Sequence, residues 1–297
     1  MRCIYLLTYL LKRFPFSVCA FAIAGPRLVH KITSDDNLLG VALLNSELFV
    51  LRDRRSSNQI DVYSTIDFTF LRHLSINSRK IMKSIAACPQ RRVIYVLNES
   101  KYGVHRLGLD GSECMWPLTR YMDAGLDPLK LSVTRSTHIL VLCIFIRDDH
   151  EELTQLQFLS SENGECVRTI TVQVSADLMP YYCVELKEDQ FLLTYCDGDE
   201  AVDPARIALL DGEGNIVQTT QDDVPMRLLS NMVVDSDQFV LACSIAARCV
   251  VLFDPMLNFV CNLTEGIELK PRSFVFDKFT RRLYVDEYYH DVSIVQL

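Results

Sequence analysis

One apolar tetrapeptide recurs six times along the chain: LFVL from Leu48, IYVL from Ile94, ILVL from Ile139, FLLT from Phe191, FVLA from Phe239 and LYVD from Leu283. Before each lies another apolar run ending in a turn: GVALLNS from Gly40, SIAACPQRR from Ser84, KLSVTRST from Lys130, YCVELKED from Tyr182, MVVDSD from Met232 and SFVFDKFTRR from Ser273. Their polar ends, such as Asn45-Ser46, Pro89-Gln90 and Asp235-Ser236-Asp237, carry hairpin-loop chemistry. After each tetrapeptide and a polar loop comes an alternating run: QIDVYS from Gln59, GVHRLGL from Gly103, LTQLQFL from Leu153, RIALLD from Arg206, CVVLFD from Cys249 and VSIVQL from Val292. Alternation is the mark of a half-buried strand. A fourth run follows in five units, as FLRHLSI from Phe70, CMWPLTR from Cys114, CVRTITV from Cys166, NIVQTTQ from Asn215 and FVCNLTE from Phe259.

Four short strands repeated about every 44 to 52 residues are the pattern of propeller blades, each a sheet that cannot bury both of its faces alone. Six copies predict an all-β, six-bladed β-propeller of four-stranded antiparallel blades. The sixth unit lacks a fourth run, yet RLVHKIT from Arg27 has the same pattern and precedes the first unit. This N-terminal strand is expected to join the last blade and close the ring, because closure removes the open sheet edge. No sustained 3.6-residue apolar stripe occurs beyond the first 12 residues, so helices have no place in the plan. The segments from Trp116 to Asp127 and from Asp197 to Pro204 read as loops.

The propeller is expected to span residues 26–297, after an apolar leader at 1–25. Ala22-Ile23-Ala24 resembles a signal-peptide cleavage site, while Lys12-Arg13 interrupts the apolar run and argues against a transmembrane helix. A signal-like leader and a misassigned start both stay open. The 11 cysteines are scattered without a C-x-x-C pair, and several sit inside apolar strands, as Cys143 and Cys249 do. That usage suits reduced core thiols and favours a cytoplasmic protein, or a secreted one if residues 1–24 act as a signal.

The formal net charge is −8, and leaving out Arg2, Lys12 and Arg13 of the leader makes it −11. An acidic domain repels polyphosphate, so nucleic acid is a poor match. Arg52, Arg54 and Arg55 make the first blade basic, against acidic loops in three others. Those loops join second to third strands and share one face of the ring. They hold Asp148, Asp149, Glu151 and Glu152, then Asp197, Asp199, Glu200 and Asp203, then Asp286, Glu287 and Asp291. Converging carboxylates are Ca²⁺ donors, and Asp197, Asp199 and Asp286 are the candidate metal residues. The alternative is that these loops are simply solvated. No cofactor is otherwise expected. The chain has no G-x-S-x-G elbow, no H-E-x-x-H motif and no Gly-rich phosphate loop, and its six histidines are widely separated.

The chain resembles the NHL-repeat and wider TolB-like six-bladed propellers over residues 27–297. It keeps fragments of their blade motif: Val285-Asp286, Ala247-Arg248-Cys249-Val250-Val251 and Ser57-Asn58-Gln59-Ile60. The match is to architecture more than to motif. Members of that superfamily range from protein- and RNA-binding modules to metal-dependent lactonases and lyases. The resemblance therefore implies a fold and leaves activity open. A non-catalytic platform that holds a protein or peptide on one ring face is the leading expectation, with Trp116, Tyr121, Tyr288 and Tyr289 as candidate anchors. A Ca²⁺-dependent hydrolase or lyase at the channel mouth is the alternative. The chain is expected to be a monomer.

Overall fold

The structure is a computed structural model, and it describes residues 25–54, 57–76, 82–98, 103–118, 126–146, 152–173, 178–197, 204–220, 226, 228–288 and 290–297. These form 24 strands, β1 (Arg27–Ile32) to β24 (Val292–Gln296), in six four-stranded antiparallel sheets. Among the described residues there is no helix. Five blades take consecutive strands: β2–β5 from Asn37, β6–β9 from Met82, β10–β13 from Leu126, β14–β17 from Leu178 and β18–β21 from Leu229. The sixth holds β22 (Pro271–Asp277), β23 (Arg282–Glu287) and β24, and β1 is its outer strand. Arg27 lies opposite Gln296 and Ile32 opposite Val292, so the chain's two ends are zipped together as the pattern predicts.

The six tetrapeptides are the second strands of the blades, and burial explains why they are apolar without alternation. In β3 (Glu47–Arg54), Phe49 and Leu51 pack towards the second blade, while Leu48 and Val50 pack towards the sixth. In β11 (Ile139–Ile146), Ile139 and Val141 face the second blade and Leu140 and Leu142 the fourth. A strand covered on both faces reads as a continuous hydrophobic run. The protein accordingly has no single core. Six clusters form, one between each pair of neighbouring blades. The cluster at the seam joins Ile32, Leu38, Val41, Leu48 and Val50 to Tyr284, Val292 and Ile294. Arg282 reinforces that seam, donating from Nη1 to the Thr65 carbonyl at 2.8 Å and lying over the Phe68 ring.

Antiparallel order puts the turn after every first strand, and the turn after every third, on one face of the ring. The turns after the first strands each hold a left-handed non-glycine residue: Asn45, Arg92, Thr137, Asp189, Gln238 and Arg281. Aspartates brace many of the turns. Asp254 Oδ1 accepts the N–H groups of Met256 and Asn258 at 2.9 Å, and Asp211 Oδ1 does the same for Glu213 and Asn215. Gly164 sits in such a turn at φ +72°, and a Cβ there would lie 2.4 Å from the Trp116 ring. Only glycine meets both demands.

Trp116 departs from the expected loop position. It lies in β9 (Glu113–Pro117), is 8% exposed and packs between the second and third blades against Tyr95. It belongs to the fourth run CMWPLTR, which forms this strand, and not to the insertion that follows. Asp127 likewise belongs to β10 (Leu126–Val133) and Asp197 to β15 (Gln190–Asp197). Among the described residues nine cysteines form no disulfide, and six of these are buried. Burial pushes the Cys243 thiol up to about 12 and the Cys261 thiol up to about 11, so both stay protonated and act as apolar side chains.

Candidate functional site

The first strands of all six blades line a central channel of about 450 Å³. Each of these strands carries a β-bulge in its first half: between Leu38 and Gly40, Met82 and Ser84, Pro128 and Lys130, Pro180 and Tyr182, Leu229 and Met232, and Pro271 and Ser273. A bulge inserts a residue and re-aims the side chains beside it. In three blades a proline opens the bulge, a place where its missing N–H removes no ladder bond. Lys130 and Arg272 both stand at such positions and both line the channel. They belong to the third and sixth blades, which are diametrically opposed in a six-bladed ring.

The polar groups of the channel are tied into one another. Arg272 donates to Asp286 Oδ2 from Nη2 at 2.9 Å and from Nε at 3.2 Å, and Ser273 Oγ donates to the same oxygen at 3.0 Å. Lys130 Nζ donates to the Lys83 carbonyl at 3.3 Å, and Lys83 Nζ reaches Asp127 Oδ1 at 3.2 Å. Ser132 Oγ donates to the Cys183 carbonyl at 2.9 Å. Asn231 clasps Phe274 by both its amide groups, at 2.8 and 3.2 Å. Ser84 Oγ accepts the Leu131 N–H at 3.4 Å. Most of these bonds join neighbouring blades, so they hold the inner ring together as well as lining it.

Burial dominates the electrostatics here. Desolvation lowers the Lys130 pKa below the usual lysine value, Arg272 and Lys83 push it down further, and Asp286 pulls it up. Asp286 has no exposed surface, and desolvation raises its pKa against the opposing pull of Arg272, Ser273 and Lys130. Its Oδ1 is buried without a hydrogen-bond partner. A carboxylate with one satisfied and one unsatisfied oxygen in a low-dielectric wall is costly, and the Arg272 contact is what offsets that cost.

The sequence-predicted site residues scatter. Asp286 lies at the end of β23, inside the sixth blade and behind the channel wall. Asp197 ends β15, with its side chain outside the described part. Asp199, Tyr121 and Tyr289 lie outside the described residues. Glu287 is buried and bonded to Ser293 Oγ and the Lys270 N–H, and Asp291 pairs with Lys31 at 2.7 Å. The sixth-blade acids are thus strand-end structure and not a solvated loop. Tyr288 is 41% exposed and its N–H donates to the Lys270 carbonyl. Arg52, read as part of a basic face, is fully buried and bonds Asp61 through Nε at 2.5 Å. Its strand-end position places it among the second-strand interior, where only a carboxylate partner makes the charge tolerable. Among the described residues, no three His, Cys, Asp or Glu side chains stand together in a metal-holding arrangement. Lys130 and Arg272 were missed, although a charge within an otherwise apolar first strand, just after a proline, is a legible signal.

These features define a six-bladed β-propeller with an axial channel whose largely apolar wall carries a few charged and polar side chains. No protein-family profile matches the chain, and no curated protein matches it. Solved structures do. Virginiamycin B lyase from Staphylococcus aureus superposes with a TM-score of 0.64 at 10% identity, covering 92% of this chain and 99% of that one. A gluconolactonase from Xanthomonas campestris gives 0.63 at 13% identity over 92% of this chain and 95% of that one. The WD40 domain of Toxoplasma gondii coronin gives 0.59 at 10% identity over 91% and 85%. At such identities the likeness is one of fold, and these neighbours differ widely in what they are.

Proposed function

We propose that the ring is a binding platform of the NHL-like kind that presents one face to a protein or peptide ligand and performs no chemistry of its own. The observation that supports this reading is the engagement of the channel's polar side chains. Asn231, Ser132 and Lys130 bridge blades, and Arg272, Ser273 and Asp286 brace one. An activated nucleophile needs an adjacent base oriented by a third group. A Ca²⁺ site needs about six to eight oxygens, and here Asp286 has one oxygen held by Arg272 and one buried oxygen without a partner, beside a second cation, Lys130. The described donor set therefore fits Ca²⁺ poorly. Tyr288, exposed between β23 and β24, is the anchor we favour on the ligand-facing side.

Unpaired thiols in the inter-blade cores favour a reducing compartment, and we place the protein in the cytoplasm as a monomer. Among the described residues, no helix is long and apolar enough to cross a membrane. The test is direct. The purified chain should melt identically in chelator and in Ca²⁺, turn over neither lactones nor esters, and capture a stoichiometric protein from its native source. A Ca²⁺-dependent rise in melting temperature together with lactone hydrolysis or ring-opening elimination would instead establish the hydrolase or lyase alternative.

A further inference from the structure

The channel's charges do not balance. Lys83 is matched by Asp127 and Arg272 by Asp286, whereas among the described residues Lys130 has a carbonyl and no carboxylate as its hydrogen-bond partner. A partly buried ammonium facing a cavity, with two further cations near it, is an unfavourable arrangement unless an anion completes it. The surroundings suit one. Ser84 Oγ already accepts the Leu131 N–H, which leaves its hydroxyl proton to donate into the channel. Lys130 has two ammonium protons beyond the one given to the Lys83 carbonyl. A volume of about 450 Å³ holds a small organic acid or an acidic side chain. The bulges at Pro128–Lys130 and Pro271–Ser273 are what bring cations from opposite blades to this cavity.

We propose that the channel binds a carboxylate, with Lys130 as its counter-ion and Ser84 as a supporting donor. Counting Lys130, Arg135, Arg272 and Glu185 in the lining, Asp286 behind it and the Lys83–Asp127 pair as neutral leaves one positive charge, so a monoanion neutralises it. A phosphate dianion would leave a negative excess beside the buried Asp286. Whether the carboxylate belongs to a free acid or to a peptide, the chemistry is the same. The inference goes beyond the platform reading, because it holds even if no protein partner exists.

Titration calorimetry on the full chain tests it, with acetate, inorganic phosphate, an end-capped Gly-Glu-Gly peptide and its Gly-Gln-Gly counterpart as probes, all at constant ionic strength. Acetate or the Glu peptide should bind, the Gln peptide should not, and phosphate should bind more weakly than the carboxylates. Acetate binding alone assigns a free acid, and peptide binding assigns an acidic side chain. Lys130→Met should weaken the carboxylate at least tenfold while keeping the wild-type circular dichroism, and Ser84→Ala should weaken it by a smaller factor. Equal affinity in the wild type and Lys130→Met, tighter phosphate binding, or no heat with either carboxylate overturns the proposal. None of these results bears on turnover or partner capture, so the platform reading fails or stands separately.

Discussion

The turn face of the ring and its axial channel are built from the same strands yet hold themselves together differently. On the turn face many polar contacts are local, although Arg282 to Thr65 and Arg168 to Asp189 cross between blades. Asp211, Asp254, Asp110 and Asp277 each bond backbone or side chains within four residues, and left-handed residues set the tight reversals. In the channel the contacts span tens of residues: Lys130 to Lys83, Ser132 to Cys183 and Asn231 to Phe274. Local bonds form as soon as their own hairpin forms, whereas the channel bonds exist only once neighbouring blades have docked. The turn face thus stabilises each blade, and the channel reports whether the ring is complete and keeps a charge, Lys130, that stability alone would discard.

That contrast breaks most severely where the seam is opened. Deleting residues 1–33 removes β1, exposing the edge of β24 and losing Ile32 from the seam cluster. It is expected to cost about 5 kcal/mol, comparable to the whole margin of many domains. Deleting 1–24 should leave the melt unchanged, and equal melting of the two truncations would refute the shared blade. On the turn face, Gly164→Val combines a left-handed backbone with a clash against Trp116. A loss of about 2–4 kcal/mol in urea denaturation follows, with no change in channel binding.

The channel should respond in the opposite sense. Lys130→Met removes a desolvated charge and is expected to stabilise the fold by about 1 kcal/mol at neutral pH. Because the folded Lys130 pKa lies below 10.5, the native state sheds its proton before the unfolded chain does. The wild type therefore gains stability as pH rises from that depressed value to 10.5, and the variant's advantage should shrink across the same window. Arg272, Lys83 and Asp286 are the charged groups that act on it. Smallest is Asp254→Ala, which removes the acceptor for Met256 and Asn258 at the rim. A loss of about 1 kcal/mol is expected, readable as a shift of a few degrees in melting temperature.

Much of this was legible beforehand for a physical reason. A second strand buried on both faces must be apolar throughout, so LFVL, IYVL and their four counterparts announce themselves without any partner being known. RLVHKIT at the start of the chain and a missing fourth run at its end give closure in the same way. The channel was less legible because its residues are charged or small and sit beside bulges, whose extra residue shifts the facing of everything before it. Reading KLSVTRST as a strand reveals no direction for Lys130. The misplacement of Trp116 and Arg52 has the same origin: aromatic and basic residues near a strand end look like loop residues until the neighbouring blade covers them.

Periodicity alone determined the six blades, their four strands and the seam, because each depends only on which residues must be hidden within one repeat. The tertiary structure decided which charges meet. Lys83, Lys130, Arg272 and Asp286 lie in three different blades, and their approach around the channel depends on ring closure and on bulges at Pro128 and Pro271. No local pattern encodes that meeting, since the groups share no stretch of chain and acquire their low-dielectric surroundings only when the ring is shut.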